Sequence, residues 1–305
     1  MTVVRQDVER AAGRIAPHVR RTPLLQAESH LVLKLESTQH SGSFKARGAF
    51  NRILAAGEAA ALPAVGVIAA SGGNHGLAVA YAARALGVRA EIFVPEVSAP
   101  VKVEGLRLLG AHVTQVGAIY SEAYEASQKR VAETGALEIH AYDQPDVVAG
   151  AGTVAAELLE QADVDTVLVA VGGGGLVAGV VAAVDGRAEV VAVEPERIPT
   201  LHAALEAGEP VQVSVSGVGA DALGASRVGQ VAFDTVAGRV SSVLVSDDAI
   251  VEARRVLWRE SRVAAEYAGA AALAALRSGV YVPAAGERVA VIVCGANTDP
   301  ATLAG

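Results

Sequence analysis

Cysteine is almost absent from this chain of 305 residues. Cys294 is the single one, so no disulfide can form within the chain. Disulfides persist mainly in oxidising compartments, and their absence favours a reducing one. The first ten residues carry scattered charges and no continuous apolar core, so they predict no secretion signal. We therefore expect a cytoplasmic protein.

Positive charge is also scarce in this sequence. Lys and Arg number 25 against 33 Asp and Glu, which gives a formal net charge of −8 and an isoelectric point near 5.4. Surfaces that bind nucleic acids need clustered Lys and Arg, so we expect no nucleic-acid partner. A chain of this length can bury a large core and usually divides into two domains. These properties favour an enzyme that acts on a small molecule.

The sequence has no segment that predicts a membrane span and no cluster that predicts a metal site. The stretch Val167–Val184 has 18 residues without a charge, which approaches the length of a span. Four successive glycines in its middle favour a strand, a loop and a helix instead, so we expect no membrane partner. The seven histidines are dispersed, with neither an HExxH motif nor Cys/His pairs at ligand spacing.

Short runs of β-branched residues alternate with alanine-rich helical stretches, which is typical of an α/β fold with parallel sheets. The Leu62-Pro63 pair and the turn at Tyr142–Pro145 bracket three strand–helix units. We therefore expect a small inserted domain at residues 63–143 and a large domain formed by residues 1–62 and 144–305. The predicted strands are Val65–Ala69, Ala90–Val94, His112–Val116, Thr166–Val171, Val190–Val193 and Val289–Cys294.

Lys45 stands out because the chain has only four lysines beside 21 arginines. It lies between glycines and small side chains in the segment Ser41–Phe50, at the start of a predicted helix. Arginine keeps its charge, whereas a lysine amine that burial deprotonates can attack a carbonyl and form a Schiff base. Lys34 falls in a strand-like run, and Lys102 and Lys129 fit solvated helix faces beside carboxylates. The alternative for Lys45 is a surface lysine at the start of its helix.

Three loops follow predicted strands directly: Ser71–Gly76, Val171–Leu176 and Val293–Thr298. The first two open a helix, whose free N–H groups and positive dipole end suit a carboxylate or a phosphate. Four glycines in a row cost conformational entropy, so the second loop predicts a phosphate cradle, although it fits neither GxGxxG nor the P-loop. Because ligands bind beyond the carboxyl ends of such strands, we expect the loops to converge on one crevice. The alternative is that these loops bind no ligand. They would then be capped turns, and Cys294 would be an inert buried residue.

Four motifs in this order carry a resemblance to a known family: Ser41–Ala49 (SGSFKARGA), Ser71–Gly76 (SGGNHG), Gly172–Leu176 (GGGGL) and Cys294–Asn297 (CGAN). They resemble the fold-type II pyridoxal-phosphate (PLP) enzymes, specifically the serine/threonine dehydratase group, which includes threonine ammonia-lyases and serine racemases. The similarity extends from Arg21 to the end of the chain. It implies a tryptophan synthase β-like fold, with two domains that each hold a mostly parallel twisted sheet flanked by helices. It also implies a homodimer.

The resemblance implies a role for each motif residue. Lys45 would form the Schiff base with PLP as the catalytic residue, and Phe44 would pack against one face of the pyridine ring. Asn74 would hydrogen-bond the 3-oxygen of the cofactor, and Cys294 would face the ring nitrogen. The phosphate would be held by Gly172, Gly173, Gly174, Gly175 and Leu176. The substrate carboxylate would be received by Ser71, Gly72, Asn74 and His75.

The implied reaction eliminates water from L-threonine, L-serine or both and yields 2-oxobutanoate or pyruvate with ammonia. PLP is the electron sink, and the amine of Lys45 takes the α-proton. A thiol beside the ring nitrogen does not enforce a pyridinium, which favours elimination over racemisation or transamination. Related serine racemases carry a second serine where this chain has Gly72. Glycine cannot transfer a proton, so this position also favours a dehydratase.

Other positions depart from the family pattern. Some relatives bind a divalent cation near an Ala-Asp pair like Ala220-Asp221, but no acidic residue lies within the ten positions before Asp221. We therefore expect a helix cap at Asp221 and no metal. Relatives carry a Glu-Pro pair where this chain has Glu266 followed by Tyr267, so tyrosine replaces proline at this position. The short segment after Cys294 predicts no regulatory domain.

Two alternatives to the dehydratase stay open. The first alternative is another enzyme of the same fold that acts on β-substituted amino acids, such as a 3-hydroxyaspartate dehydratase, a serine racemase or a cysteine synthase-like enzyme. One sequence does not reveal the side-chain pocket that decides between them. The second alternative, from a different class, is a non-catalytic protein that binds PLP or an amino acid.

Overall fold

The computed structural model describes residues 1–303, in which strands and helices alternate along most of the chain. None of the helices in this range is both long enough and apolar enough to span a membrane. The strands are β1 (Leu24–Glu28), β2 (Leu31–Lys34), β3 (Val67–Ala70), β4 (Ala90–Val94), β5 (His112–Gln115), β6 (Leu137–Glu138), β7 (Thr166–Ala170), β8 (Glu189–Pro195), β9 (Ser241–Val245) and β10 (Val289–Ile292). The α-helices are α1 (Arg5–Ile15), α2 (Lys45–Glu58), α3 (Asn74–Ala85), α4 (Pro100–Leu108), α5 (Tyr120–Thr134), α6 (Pro145–Gln161), α7 (Gly175–Val184), α8 (Thr200–Ala207), α9 (Ala220–Leu223), α10 (Gln230–Val236), α11 (Asp247–Ser261) and α12 (Tyr267–Arg277).

The larger sheet has the strand order β1-β2-β10-β7-β8-β9. β1 runs antiparallel to β2, and all the other neighbouring pairs are parallel. β7 and β10 are buried along their whole length, and their Val-rich sequences suit a parallel sheet that is covered on both faces. Helices α7 and α12 pack against β7 and β8. The carboxyl ends of β7 and β10 therefore open at the same edge of this sheet.

The smaller sheet has the order β5-β4-β3-β6, and its strands are all parallel. All four strands lie within residues 63–143, the span of the predicted inserted domain, whose boundaries remain a prediction. The hydrophobic core beneath this sheet also includes Ala46, Phe50 and Ile53 of α2. Helix α2 packs against α3 on this side and against α6 of the other half. Lys45 therefore begins a helix that is shared by both halves.

The predicted α/β architecture is confirmed, and each of the six predicted strands has a counterpart. The first begins at Val67 rather than at Val65, because Gly66 adopts a φ of +95° and lies against the main chain of Arg89. A Cβ at Gly66 would lie 2.1 Å from the Arg89 oxygen, so only glycine fits at this position. Strands β1, β6 and β9 were not predicted, and β6 has only two residues.

A buried ionic cluster fixes the first turn of α2. Arg47 is 1% exposed and donates to both carboxylate oxygens of Glu36, at 2.8 and 2.7 Å, and to Glu157 at 3.0 Å. Lys34 of β2 donates to the other oxygen of Glu157 at 2.6 Å. Two cations thus face two carboxylates with little access to water. The cluster joins β2, α6 and the helix that carries Lys45.

Replacing Arg47 with methionine is expected to lower the free energy of unfolding by about 3–5 kcal/mol, because Glu36 would stay buried without its partner. Chemical denaturation followed by circular dichroism measures the change. The control Arg5→Met removes an exposed pair with Glu9 and should cost less than about 1 kcal/mol. Equal stability of the two variants would show that the cluster does not stabilise the fold.

Candidate active site

A cleft lies where the loops of the two halves meet. Lys45 at the start of α2, Asn74 at the start of α3 and the glycine turn before α7 line it together, as expected for loops at the carboxyl ends of parallel strands. Gly173 is not part of the lining. The residues predicted to bind the cofactor that line the cleft are Phe44, Lys45, Asn74, Gly172, Gly174, Gly175, Leu176 and Cys294.

Main-chain hydrogen bonds join the segment before α2 to the loop after β10. The N–H of Phe44 donates to the oxygen of Cys294 at 3.0 Å, and the N–H of Ala296 donates to the oxygen of Gly42 at 2.9 Å. Between these bonds, Ser43 and Gly295 form an antiparallel bridge. Two segments that are about 250 positions apart in the chain are thus held as neighbours, which brings the amine of Lys45 to the side of Cys294.

The amine of Lys45 donates a hydrogen bond to the main-chain oxygen of Ala141 at 2.7 Å. Burial lowers the pKa of this amine to about 8, against a smaller opposing effect of the Glu266 carboxyl. The position of Lys45 at the positive end of the α2 dipole also disfavours its charged form. A sizeable fraction of the amine is therefore neutral near physiological pH and able to attack a carbonyl.

The glycine turn before α7 packs too closely against its surroundings for side chains. A Cβ on Gly173 would lie 2.3 Å from the ring of Tyr142, and a Cβ on Gly172 would lie 2.9 Å from the main chain of Leu223. Gly174 adopts a φ of +88°, which favours glycine. The first N–H groups of α7 have no acceptor within the helix, so the turn offers donors and a positive dipole end to an anion.

Asn74 is held at both ends of its side-chain amide. Its Nδ2 donates to Glu266 at 2.6 Å, and its Oδ1 accepts from Nδ2 of Asn297 at 2.7 Å. Burial raises the pKa of Glu266 to about 7, although the bond from Asn74 opposes this shift. The orientation of the amide is therefore fixed, and one N–H of Asn74 is free of these two bonds.

The predicted carboxylate loop occupies the start of α3. The hydroxyl of Ser71 accepts from the N–H of Gly73 at 3.2 Å. A Cβ on Gly72 would find its nearest atom at 3.5 Å, so a side chain would fit there. His75 is 6% exposed, and its Nε2 bonds the oxygen of Ile139 at 2.8 Å. Burial lowers the pKa of His75 to about 3, so the ring is neutral and donates this bond.

Cys294 lines the cleft and is 3% exposed. Its thiol donates to the main-chain oxygen of Ala268 at 3.5 Å. Burial raises the pKa of the thiol far above its usual range. Cys294 therefore acts as a neutral, weakly polar group and not as a thiolate nucleophile.

Asp221 does not cap a helix, contrary to the prediction. It lies inside α9, whose N-cap is Gly219, and its carboxylate accepts from the amine of Lys102. Lys102, predicted to belong to a solvated helix face, links α4 to α9. Among residues 1–303, no three His, Cys, Asp or Glu side chains come together as metal ligands.

Three residues at the site have no assigned role in the sequence-based prediction: Ala141, Tyr142 and Glu266. Glu266 lies within an alanine-rich run, and a carboxylate in such a run indicates a buried acid. Ala141 and Tyr142 offer no such signal. Their contributions are a main-chain oxygen and a ring packed on glycine, and these depend on the tertiary fold alone.

Comparison with known proteins agrees with this geometry. A family model described as "Pyridoxal-phosphate dependent enzyme" matches residues 15–295. An L-threonine ammonia-lyase of Thermotoga maritima is 35% identical over 306 residues, which cover 96% of this chain and 75% of that protein. The crystal structure of a threonine deaminase from T.th. has a TM-score of 0.88 at 37% identity and covers 97% of this chain and 99% of its own. Maize serine racemase has a TM-score of 0.92 at 33% identity, with coverage of 99% and 96%.

The predicted PLP dependence and the predicted family are thereby confirmed. The family match extends over most of the chain and includes the helix start at Lys45, the glycine turn and the segment up to Gly295. The chain therefore belongs to the pyridoxal-phosphate dependent enzymes, within the fold-type II group of serine/threonine dehydratases.

Proposed function

We propose that this protein eliminates water from L-threonine, L-serine or both and forms an enamine, whose hydrolysis releases 2-oxobutanoate or pyruvate with ammonia. One observation carries the proposal: the amine of Lys45, with a pKa of about 8, lies in one cleft with the glycine turn of α7 and with Cys294. The names of the related ammonia-lyase and threonine deaminase support this reaction.

The residues of the cleft fit PLP. Lys45 supplies a partly neutral amine for the cofactor aldehyde, and the N-terminus of α7 supplies N–H donors for the phosphate. The glycines let this turn pack closely against its surroundings, since added Cβ atoms would clash with the main chain of Leu223 or the ring of Tyr142. Phe44, the free N–H of Asn74 and the thiol of Cys294 would contact the ring. When bound, PLP supplies an electron sink for the charge that develops at the substrate α-carbon.

The groups that surround the cleft bind the substrate and transfer its α-proton. The Nζ of Lys45 accepts the α-proton of the substrate, for which a pKa of about 8 is well suited. The loop from Ser71 to Asn74, at the N-terminus of α3, binds the substrate carboxylate with main-chain N–H groups. Cys294 is neutral, so its thiol would not stabilise a protonated nitrogen on the cofactor ring.

Gly72 favours elimination over racemisation. Racemisation needs a second acid on the face of the α-carbon opposite Lys45, and glycine has no proton to give. The nearest atom to an added Cβ is Val94 Cγ1 at 3.5 Å, so sterics do not require a glycine at this position. The absence of a side chain at Gly72 therefore supports a dehydratase.

The proposal extends to the organisation of the protein. We place a small domain at residues 63–143 and a large domain at residues 1–62 and 144–305, because the four strands of the smaller sheet lie within the first range. The resemblance to the serine/threonine dehydratase group supports a homodimer. The single cysteine supports a cytoplasmic location.

Replacing Lys45 with alanine is expected to abolish 2-oxo acid formation from L-threonine and L-serine, because the amine that takes the α-proton is lost. The assay follows 2-oxo acid and ammonia with the PLP-supplemented protein. The control Lys129→Ala changes an exposed lysine of α5 and should keep full activity. Full ammonia release by the Lys45→Ala protein, or none by the unmodified protein with either amino acid, would refute the proposal.

The capture of PLP should depend on pH through Lys45. Its amine is charged below a pKa of about 8 and neutral above it, and only the neutral form attacks the aldehyde. The rate of capture by cofactor-free protein should therefore rise about tenfold between pH 7 and pH 9 and then level off. Stopped-flow absorbance measures this rate. A rate that still rises about tenfold per pH unit at pH 9 would indicate an ordinary lysine.

A further inference from the structure

A second cavity adjoins the cleft that holds Lys45. Asn74, Ala222 and Glu266 line both spaces, so the two cavities share a wall. Gly72 and Gly73 of the proposed carboxylate loop line the second cavity as well. With its nitrogen near Lys45 and its carboxylate on this loop, as proposed above, a bound amino acid would lie at the wall between the two cavities, and its side chain would be next to the second cavity.

Three ionisable side chains line this second cavity: Lys102, Asp221 and Glu266. The amine of Lys102 is already bonded to the carboxylate of Asp221. Glu266 is 6% exposed and accepts its hydrogen bond from Asn74. Of the described residues that line the cavity, Lys102 alone carries a positive charge, and two carboxyl groups surround it. The cavity thus offers no unpaired cation to an acidic side chain.

The Lys102–Asp221 pair and Glu266 also interact electrostatically across the cavity. Burial is the main cause that raises the pKa of Glu266 to about 7, and Asp221 raises it further whereas Lys102 lowers it. The main-chain oxygen of Asp221 lies 3.9 Å from where a Cβ on Gly73 would be, so α9 faces the carboxylate loop. The charges of the pair therefore lie within electrostatic reach of a bound substrate.

We propose that the Lys102–Asp221 pair selects substrates by charge, admitting uncharged β-hydroxy side chains and rejecting side chains with a second carboxylate. This inference rests on the proposed function and names its substrate class. An acidic side chain would meet the carboxylate of Asp221, and the one ammonium that could neutralise it is occupied. Hydroxyl and methyl groups of L-serine or L-threonine carry no charge and meet no such repulsion.

The test measures binding of L-aspartate and L-2-aminobutanoate to the PLP-loaded protein. Neither ligand has a β-hydroxyl to lose, so the absorbance change of bound PLP reports the Kd of each without β-elimination of water. In the unmodified protein we expect L-aspartate to bind more weakly. The ratio of its Kd to that of L-2-aminobutanoate should fall roughly tenfold in Asp221→Asn, which frees Lys102, and rise roughly tenfold in Lys102→Met.

Two matched controls make the same changes of charge away from the cleft. Asp163→Asn alters an exposed carboxylate before β7, at the opposite end of that strand, and Lys129→Met alters an exposed lysine of α5. Both should leave the Kd ratio within about twofold of the unmodified value. Equal Kd values for the two ligands in the unmodified protein, or a ratio that the two cleft variants do not change, overturns the selection by charge.

The same samples separate this inference from the proposed function. L-Threonine and L-serine are assayed for 2-oxo acid beside the binding measurements. No 2-oxo acid from either amino acid, together with a Kd ratio that shifts as expected in both cleft variants, would refute the proposed reaction and uphold the selection. Release of 2-oxo acid with an unchanged ratio would uphold the reaction and refute the selection.

Discussion

The short antiparallel bridge between Ser43 and Gly295 is the constraint on which the site depends. It joins the beginning of α2 to the end of β10, so that a lysine from the first fifth of the chain stands beside the only cysteine. The Arg47 cluster holds the other side of the same helix turn. Because both attachments are buried, the amine of Lys45 has a fixed position in the cleft before any ligand binds.

Desolvation sets the charge state of this cleft. Burial pushes Lys45 and His75 towards their neutral forms and does the same for Glu266 and Cys294. A neutral amine is a nucleophile and base, and a neutral thiol leaves a ring nitrogen uncharged. The permanent positive element near the glycine turn is then the dipole of α7, which suits a phosphate. One physical effect thus prepares the binding of the cofactor and the elimination together.

Local motifs were predictable from the sequence because they are dictated by short-range chemistry. The glycine turn before α7 and the lysine in a run of small residues are unusual wherever they occur. The partners of these motifs were not predictable. The amide of Asn74 is held by Glu266, which is 192 positions away, and Asp221 pairs with Lys102 across 119 positions. Such contacts join α3 to the start of α12 and α4 to α9, which no local pattern encodes.

The identity of the lysine that binds the cofactor can be measured directly. Borohydride treatment of the PLP-saturated protein makes the link permanent, and peptide mapping by mass spectrometry locates the added mass. We expect the label on Lys45 and none on Lys34, Lys102 or Lys129. An unlabelled Lys45 in protein that has bound PLP would contradict the central claim.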